Sequence, residues 1–352
     1  MKLFTPYSQR SVTLRNRIVI SPMCEYSATD GVPNDWHLVH LGSRAVGGAG
    51  LVLTEATAVS PEGRISAADV GLWNEAQQRA WQPIVAFIKA HGAVAGVQLA
   101  HAGRKASVSR PWEGGGPLSA EAGAWQTVAP SAIAFDQHWH TPQALDAAGI
   151  AQLIADFRAA AERALAAGFQ LIELHAAHGY LLHQFLSPLS NQRNDEYGGS
   201  FENRTRLVRE VIAAVREVWP EQLPLWLRVS ATDWSEGGWD VEQTVQLARE
   251  VKSMGVELID VSSGGLVPHV KIPLSPGYQV PFAARVRHEA GIATGAVGLI
   301  TESTHAARII DEGAADVVLI ARESLRDPYF PRRAAQELGV TISAPEQYQR
   351  AW

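Results

Sequence analysis

The sequence contains a single cysteine, Cys24, among 352 residues. One cysteine cannot form a disulfide within the chain, and it cannot supply the thiolates of a Cys-based zinc site or an iron–sulfur cluster. No run approaches the ~18 apolar residues that span a bilayer, and the first twenty residues lack the apolar stretch and small-residue cleavage site of a secretory signal. These absences predict a cytoplasmic protein without a membrane segment.

An excess of positive charge is also missing. The chain has 30 Lys and Arg residues against 36 Asp and Glu residues, a formal net charge of -6. Nucleic acids and anionic membrane surfaces are bound by basic faces, so neither is an expected partner. Hydrophobic residues make up 46% of the chain and charged residues 19%, which is typical of a globular protein with a buried core. Small molecules are the expected ligands.

Eight short apolar runs have the composition of buried β-strands. They alternate with longer segments of helical period, several of which end at a glycine suited to a left-handed C-cap. This alternation predicts parallel strands with crossover helices, and eight repeats favour a closed (β/α)8 TIM barrel, an α/β fold, over an open doubly wound sheet. The eight predicted strands are residues 17–21, 50–56, 93–100, 169–176, 223–230, 256–263, 292–298 and 315–321.

Two long segments interrupt this alternation. Residues 101–140 are rich in Gly, Pro, Trp and His, and they are too long for an ordinary connection after the third strand. We interpret them as a capping excursion over the barrel mouth, and residues 178–200 as a second long loop. No change of composition marks a linker, so residues 1–352 are expected to form one domain.

Catalytic side chains of a TIM barrel lie at the carboxyl ends of its strands. Gly and Arg residues after the last two strands favour a phosphate-bearing ligand there. The residues that this rule brings to one mouth are Pro22, Met23, Cys24, Tyr26, Glu55, Ala56, Gln98, His101, Arg104, Lys105, His175, His178, Arg228, Ser262, Ser263, Gly295, Gly298, Ala321 and Arg322.

Residues 175–180, with the sequence HAAHGY, combine two histidines and a tyrosine. His175 and His178 could be ligands of a metal-dependent hydrolase, core residues, or hydrogen-bond donors to a substrate oxygen. No carboxylate completes a metal site after the fifth or sixth strand, and Arg228 would repel a dication. We therefore favour two N–H donors facing a developing oxyanion, with the Tyr180 phenol as proton source.

Long motifs at these positions give the chain a family resemblance. They include SPMCEYSATDGVPNDWHLVH, QLAHAGRKASVSRPWEG, ELHAAHGYLLHQFLSPLSNQRNDEYGGSFENRTR and the final YQRAW. Over essentially its whole length the chain resembles the old yellow enzymes, and specifically the bacterial xenobiotic reductases and thermophilic-type NADPH dehydrogenases. The resemblance implies a TIM barrel with non-covalent FMN, reduced by NADPH with NADH as a possible donor. It also implies ping-pong hydride transfer to the β-carbon of α,β-unsaturated carbonyl compounds, with nitro compounds as further substrates.

The resemblance also implies roles for individual cofactor-binding residues. Cys24 would tune the flavin potential, Gln98 would bind the pyrimidine edge of the ring, and Arg228 would stabilise the reduced flavin. The implied set is Ser21, Pro22, Met23 and Cys24 beneath the ring, Ala56, Gln98, His175 and Arg228 around it, and Ser262, Gly298, Ala321 and Arg322 toward the phosphate.

The same resemblance implies a substrate site. His175 and His178 match the pair that holds the substrate oxygen, while Tyr26 and Tyr180 match an aromatic wall and proton donors. Cys24 matches a residue that touches substrate. Lys105 is similar to a lysine at the active-site mouth.

The C-terminal tail, residues 340–352, matches a segment that enters the neighbouring subunit's active site. Arg350 and Trp352 match the residues that bind substrate there, which implies a homodimer or homotetramer. Ala321 stands where the family usually has glycine, so an amide near the phosphate would carry a methyl neighbour. Val297 stands where some relatives have tryptophan, which predicts a more open pocket. Relatives with an iron–sulfur cluster and an added flavin domain are excluded by the single cysteine and the length.

Overall fold

The structure is a computed structural model that describes residues 1–351. Trp352, which the resemblance places in a neighbouring subunit's site, lies outside the described residues. Eight parallel strands close into a barrel in chain order, and the eighth strand pairs with the first. The predicted TIM barrel is thus confirmed. The strands are β1 Ile18–Ile20, β2 Leu51–Ala58, β3 Val94–Ala100, β4 Leu171–Ala176, β5 Leu225–Ser230, β6 Leu258–Ser262, β7 Ala293–Ala296 and β8 Val317–Ile320.

Each strand is followed by a helix that bears the same number. Asn34 and Asn74 cap the first two helices with reciprocal side-chain bonds, and Asp146, Ser200 and Asp240 accept backbone N–H groups at the starts of the third to fifth. The helices are α1 Asp35–Val46, α2 Glu75–Ala90, α3 Ala147–Ala167, α4 Phe201–Val218, α5 Val241–Ser253, α6 Val280–Ala290, α7 Ser303–Asp311 and α8 Phe330–Glu337. Short helices Leu181–Leu186 and Arg322–Arg326 follow β4 and β8.

Several predicted strand ends are wrong by a few residues. β2 continues to Ala58 instead of ending at residue 56, because a register shift between Leu53 and Ala56 lets it continue pairing with β3. β7 ends at Ala296 instead of residue 298, since Gly298 has a φ of 125° that lies outside the extended region. Residues assigned from sequence to the ends of β1 and β8 likewise lie in the loops after those strands.

The N-terminal end of the barrel is closed by a hairpin that the sequence analysis did not predict. Tyr7–Gln9 pairs antiparallel with Val12–Leu14. Val12 and Leu14 pack against the apolar lower interior of the barrel, which includes Trp226. Because this end is filled, the polar side chains of the interior face the opposite mouth.

The excursion after β3 crosses that mouth, as predicted. Lys105 Nζ donates to the carbonyl oxygens of His178 and Gly265, both at 2.9 Å. Arg104 Nη2 donates to the carbonyl oxygen of Leu266 at 2.8 Å. These bonds join the excursion to the loops after β4 and β6. Among residues 1–351, no helix is long and apolar enough to cross a membrane.

Candidate active site

The mouth brings the HAAHGY residues together. The His175 ring lies 5.1 Å from the rings of both His178 and Tyr180, at steep angles of 82° and 74°. Tyr26 and Tyr180 pack in one apolar cluster with Cys24. His175, His178, Tyr180, Tyr26 and Cys24 therefore lie near one another at the mouth, and their roles toward substrate stay predictions.

The His175 ring has a defined hydrogen-bonding direction. Its Nδ1 accepts the backbone N–H of Ala177 at 3.3 Å, so its proton resides on Nε2. On the neighbouring strand, Arg228 lies in register with it. The Nε2–H group is thus available as a donor in the mouth.

The loop that carries His178 is held in a strained backbone conformation. His178 has a φ of 59°, which is sparsely populated by residues with a side chain. Its backbone N–H donates to Ser230 Oγ at 2.9 Å, and its Nε2 lies 2.7 Å from Ser262 Oγ. At Gly179 a Cβ would collide with the backbone of Gly265, so this position requires glycine. The two contacts to serine fix where the ring lies.

Both histidines are neutral at physiological pH. Burial and the Arg228 charge lower the pKa of His175 and of His178 well below the ordinary value. A neutral imidazole donates one N–H without adding a charge. Among residues 1–351, no group of three or more His, Cys, Asp or Glu side chains is arranged to hold a metal ion, so the hydrolase alternative is without support.

The nearby phenols and the thiol stay protonated. Burial raises the pKa of Tyr180 and of Tyr26 well above the ordinary value. Burial, together with the charges of Asp69 and Glu55, raises the pKa of Cys24, whose thiol is hydrogen-bonded with Tyr26. The site therefore holds two phenolic proton donors and a thiol that is not a thiolate nucleophile.

Lys105 is fixed at the rim by backbone oxygens and by aromatic rings. Its ammonium lies 5.2 Å from the Tyr180 ring centroid and 4.7 Å from that of Phe135. Burial and the charge of Arg104 lower its pKa to about 8. Lys105 thus lies at the mouth, and its role toward substrate stays a prediction.

Gln98 and Arg228 belong to a polar layer within the barrel. Gln98 Nε2 donates to Glu173 Oε1 at 2.8 Å, and Arg228 Nε lies 2.9 Å from Asp260 Oδ2. Sequence reasoning missed Glu173 and Asp260 as site residues. The available signal was the strand period of two, because Glu173 precedes His175 by two residues and Asp260 precedes Ser262 by two.

A second support lies behind the histidine loop and was also missed. His183 Nδ1 accepts the Gly179 N–H at 2.9 Å, and His183 Nε2 donates to Asp233 Oδ1 at 2.8 Å. Asp233 Oδ2 accepts Ser187 Oγ and the Trp239 N–H at 2.6 and 2.7 Å. Both buried residues thus act on the site through the backbone of its loop.

A cavity of about 220 Å³ opens at the ends of β6, β7 and β8. Gly298 leaves space there, since a Cβ would press on Tyr278 and Gln279. Arg322 supplies a cation, and Val297 lies on the same cavity with its side chain in the apolar interior. Its lining also includes the predicted phosphate-end residues Ser262, Gly298, Ala321 and Arg322.

The remaining predicted residues lie around these groups. Ser21 Oγ is buried and has no hydrogen-bond partner among residues 1–351. Pro22 and Met23 are half-buried in the loop after β1, and Ala56 lies opposite Gln98 in the strand register. Ser21 thus offers a free hydroxyl beside the barrel mouth.

The described part of the C-terminal tail, residues 340–351, does not line the cavity at the ends of β6, β7 and β8. Arg350 is exposed in the turn Glu346–Ala351, whose last residue borders a groove formed with Arg332 and Ile342. Its contribution to a neighbouring subunit's site stays a prediction.

The chain is similar to known proteins over nearly its whole length. A model of the NADH:flavin oxidoreductase / NADH oxidase family matches residues 2–340. The chain is 52% identical to an NADPH dehydrogenase of Listeria monocytogenes, over 100% of this chain and 99% of that protein. It is 51% identical to an NADPH dehydrogenase of Geobacillus sp., over 99% and 98% of the two chains.

Solved structures show the same barrel. Morphinone reductase superposes with a TM-score of 0.79 at 31% identity, covering 98% of this chain and 91% of that one. The old yellow enzyme homologue of Zymomonas mobilis superposes with a TM-score of 0.81 at 27% identity, covering 99% and 98%.

Proposed function

Because the chain belongs to the NADH:flavin oxidoreductase / NADH oxidase family, as an FMN-dependent NAD(P)H oxidoreductase of old yellow enzyme type, we propose that it reduces the C=C bond of α,β-unsaturated carbonyl compounds. The observation that carries this proposal is the meeting of neutral His175 and His178 with protonated Tyr180 in one mouth. Activated alkenes need a donor at the carbonyl oxygen and a proton source near the α-carbon, and this set supplies both.

The residues of the mouth fit FMN held without a covalent bond. Ser21 Oγ is a buried hydroxyl that lacks a partner within the described chain, and the Gly298 cavity with Arg322 has the charge and space for a phosphate. Bound there, FMN would accept a hydride from NADPH, with NADH as a possible second donor, and pass it to the substrate. The residues that would hold it are Ser21, Pro22, Met23, Cys24, Ala56, Gln98, His175, Arg228, Ser262, Gly298, Ala321 and Arg322.

His175 and His178 bind the substrate oxygen through different ring nitrogens. His175 donates from Nε2, because its Nδ1 already accepts a backbone N–H. Ser263 Oγ donates to Gln279 Oε1 at 2.6 Å, whereas Ser262 lies 3.3 Å from that oxygen and 2.7 Å from His178 Nε2. Because the 2.7 Å contact is the shorter of the two that Ser262 Oγ makes, we propose that its proton points to His178 Nε2 and not to Gln279, which leaves the proton of His178 on Nδ1 for the substrate.

Tyr180 delivers the proton to the α-carbon. It lies against the His175 ring, and its raised pKa keeps the phenol protonated until the carbon gains negative charge. Tyr26 and Cys24, which are hydrogen-bonded to each other, pack in the same cluster as Tyr180 and form the adjoining wall. Lys105 closes the rim.

The tail completes the site in an oligomer. We propose that Arg350 and Trp352 of one subunit line the substrate site of the next in a homodimer or homotetramer. The exposed position of Arg350 supports this. Arg350→Ala should then lower kcat/KM in every subunit, while mixed oligomers with His178→Ala subunits should recover part of the turnover.

Separate measurement of the two half-reactions tests the substrate class. In anaerobic stopped flow, NADPH should bleach the bound FMN, and a cyclic enone should restore its colour. The double variant His175→Ala, His178→Ala should keep the NADPH step and lose most of the enone step. A protein that takes up no FMN contradicts the flavin assignment, and bleached flavin that enones leave unchanged contradicts the substrate class. Maleimides and nitro compounds assayed alongside would rank the acceptors.

A further inference from the structure

A layer of ionisable groups crosses the barrel between its apolar lower interior, which packs on the N-terminal hairpin, and its mouth. Glu173 on β4 and Asp260 on β6 are both fully buried. Arg228 on β5, the strand between them, lies in register with Asp260 and with His175. The layer therefore lies next to the groups that we place around the flavin.

This layer has fewer counter-charges than carboxyl groups. Arg228 pairs with Asp260 at 2.9 Å, while Glu173 receives the neutral Gln98 amide at 2.8 Å. The carboxyl groups of Glu173 and Asp260 are also hydrogen-bonded to each other, which requires a proton on one of them. Uncompensated carboxylates are costly to bury.

The other titratable groups toward the mouth leave this balance unchanged. His175 and His178 are neutral, for the reasons given above. Lys105 is directed to two backbone oxygens at the rim. One cation, Arg228, thus acts on both carboxyls.

The two carboxyl groups influence each other's ionisation. Burial, with the charge of Asp260 added, raises the pKa of Glu173 to about 8. Burial also raises the pKa of Asp260 to about 6, although Arg228 opposes the shift. Neighbouring carboxyls that resist joint ionisation titrate as a pair. Between these values the pair holds one proton and one negative charge, which balances Arg228.

We propose that Glu173 and Asp260 act as a carboxyl pair that takes up one proton from solvent when the bound FMN is reduced, and releases it when the flavin is reoxidised. This inference rests on the proposed function. The hydride from NADPH brings two electrons and one proton, so reduction adds one negative charge beside Arg228. A proton from solvent then binds the remaining carboxylate of the pair, and Arg228 compensates the new charge on the flavin.

The coupling is reciprocal. If added negative charge favours protonation of the pair, protonation of the pair favours reduction by the same factor. Each proton taken up with two electrons changes the reduction equilibrium tenfold per pH unit, which is 29.6 mV for a two-electron couple. Glu173 and Asp260 are thus positioning residues, because they affect the charge of the flavin through Arg228.

The double variant Glu173→Gln, Asp260→Asn isolates the effect, because either carboxyl left alone beside Arg228 could still take up the proton. The amide that replaces Glu173 still accepts the Gln98 N–H, and both substituted side chains stay neutral like the protonated acids. Glu162→Gln, on the half-exposed face of α3, is the matched control. Between about pH 6 and about pH 8, the midpoint potential of bound FMN should fall with pH more steeply in wild type and control than in the double variant, the difference being a tenfold change in the reduction equilibrium per pH unit. The double variant should also have the higher potential, because it leaves Arg228 without a carboxylate.

A proton count on the wild-type holoenzyme gives a test that needs no variant. Anaerobic reduction by NADPH in weakly buffered solution with an indicator dye should show uptake of one proton per flavin. No uptake, or equal uptake by wild type and the double variant Glu173→Gln, Asp260→Asn, overturns the carboxyl pair. A protein that binds no FMN, or whose FMN is not reduced by NADPH, overturns the proposed function instead.

Discussion

Asp233→Asn should alter the position of the histidine loop, although Asp233 itself does not contact His175 or His178. The hydrogen bonds behind the histidine loop run in one direction, from the Gly179 N–H to His183 Nδ1 and from His183 Nε2–H to Asp233. The Asp233 carboxylate also accepts hydrogen bonds from Ser187 Oγ and from the Trp239 N–H, so it acts only as an acceptor. An amide has only one accepting oxygen, and no rotation of the substituted side chain satisfies every donor. If His183 changes tautomer, its new Nδ1–H faces the Gly179 N–H.

The expected cost follows from one unpaired donor at a fully buried position. Leaving such a group without a partner costs about 1–3 kcal/mol. Asp240→Asn is the matched control, because Asp240 is an exposed N-cap that accepts the Gln243 N–H, and Asn caps a helix as well as Asp. Denaturant unfolding should show the loss for Asp233→Asn and almost none for Asp240→Asn.

The same variant should affect one half-reaction more than the other. Displacement of the Gly179 N–H moves the His178 donor, so the enone step should slow while the NADPH step changes little. Equal unfolding midpoints for Asp233→Asn and Asp240→Asn, or equal losses in both half-reactions, would refute the reasoning.

Further outcomes follow from the site. Gly298→Ala should weaken FMN binding by roughly 5–150-fold, about 1–3 kcal/mol, because φ is 125° and the Cβ meets Tyr278; FMN fluorescence titration checks this, and unchanged affinity contradicts it. Cys24→Ala should shift the flavin potential and keep FMN binding, so an apoprotein unable to take up FMN would disprove the tuning role. Burial acts to raise the pKa of Asp233, but His183 and the hydrogen bonds to the carboxylate lower that pKa overall. The ionised carboxylate therefore stabilises the fold above the ordinary Asp pKa, and this stability is lost as the pH falls through the lowered pKa of the folded protein. The urea midpoints of wild type and Asp233→Asn should therefore converge in acid.

The barrel was predictable because each of its strands is a short apolar run between helical periods. The closing hairpin was not, since Tyr7–Gln9 and Val12–Leu14 are too short to give a periodic signal. Its role depends on Val12 and Leu14 meeting residues from distant strands. Tertiary contact, and not local pattern, decides such an element.

The candidate site likewise has residues that could be predicted from the sequence and residues that could not. His175, His178 and Tyr180 lie in one short motif, so sequence spacing alone brought them together. Glu173 and Asp260 lie inside apolar strands far apart in the chain, and only barrel closure shows that they share one interior layer. The protonation states followed from burial, which the sequence does not give.

The pairing of β8 with β1 joins the two ends of the chain, with Ile20 opposite Ile320. During synthesis at roughly 10 residues per second, the edge of β1 must wait on the order of 30 seconds for its partner to emerge from the ribosome. Throughout that interval the nascent sheet has open edges, and such edges are templates for pairing with other chains. Yield in the cell should therefore depend on chaperone supply and translation rate more strongly than the stability of the finished barrel would suggest.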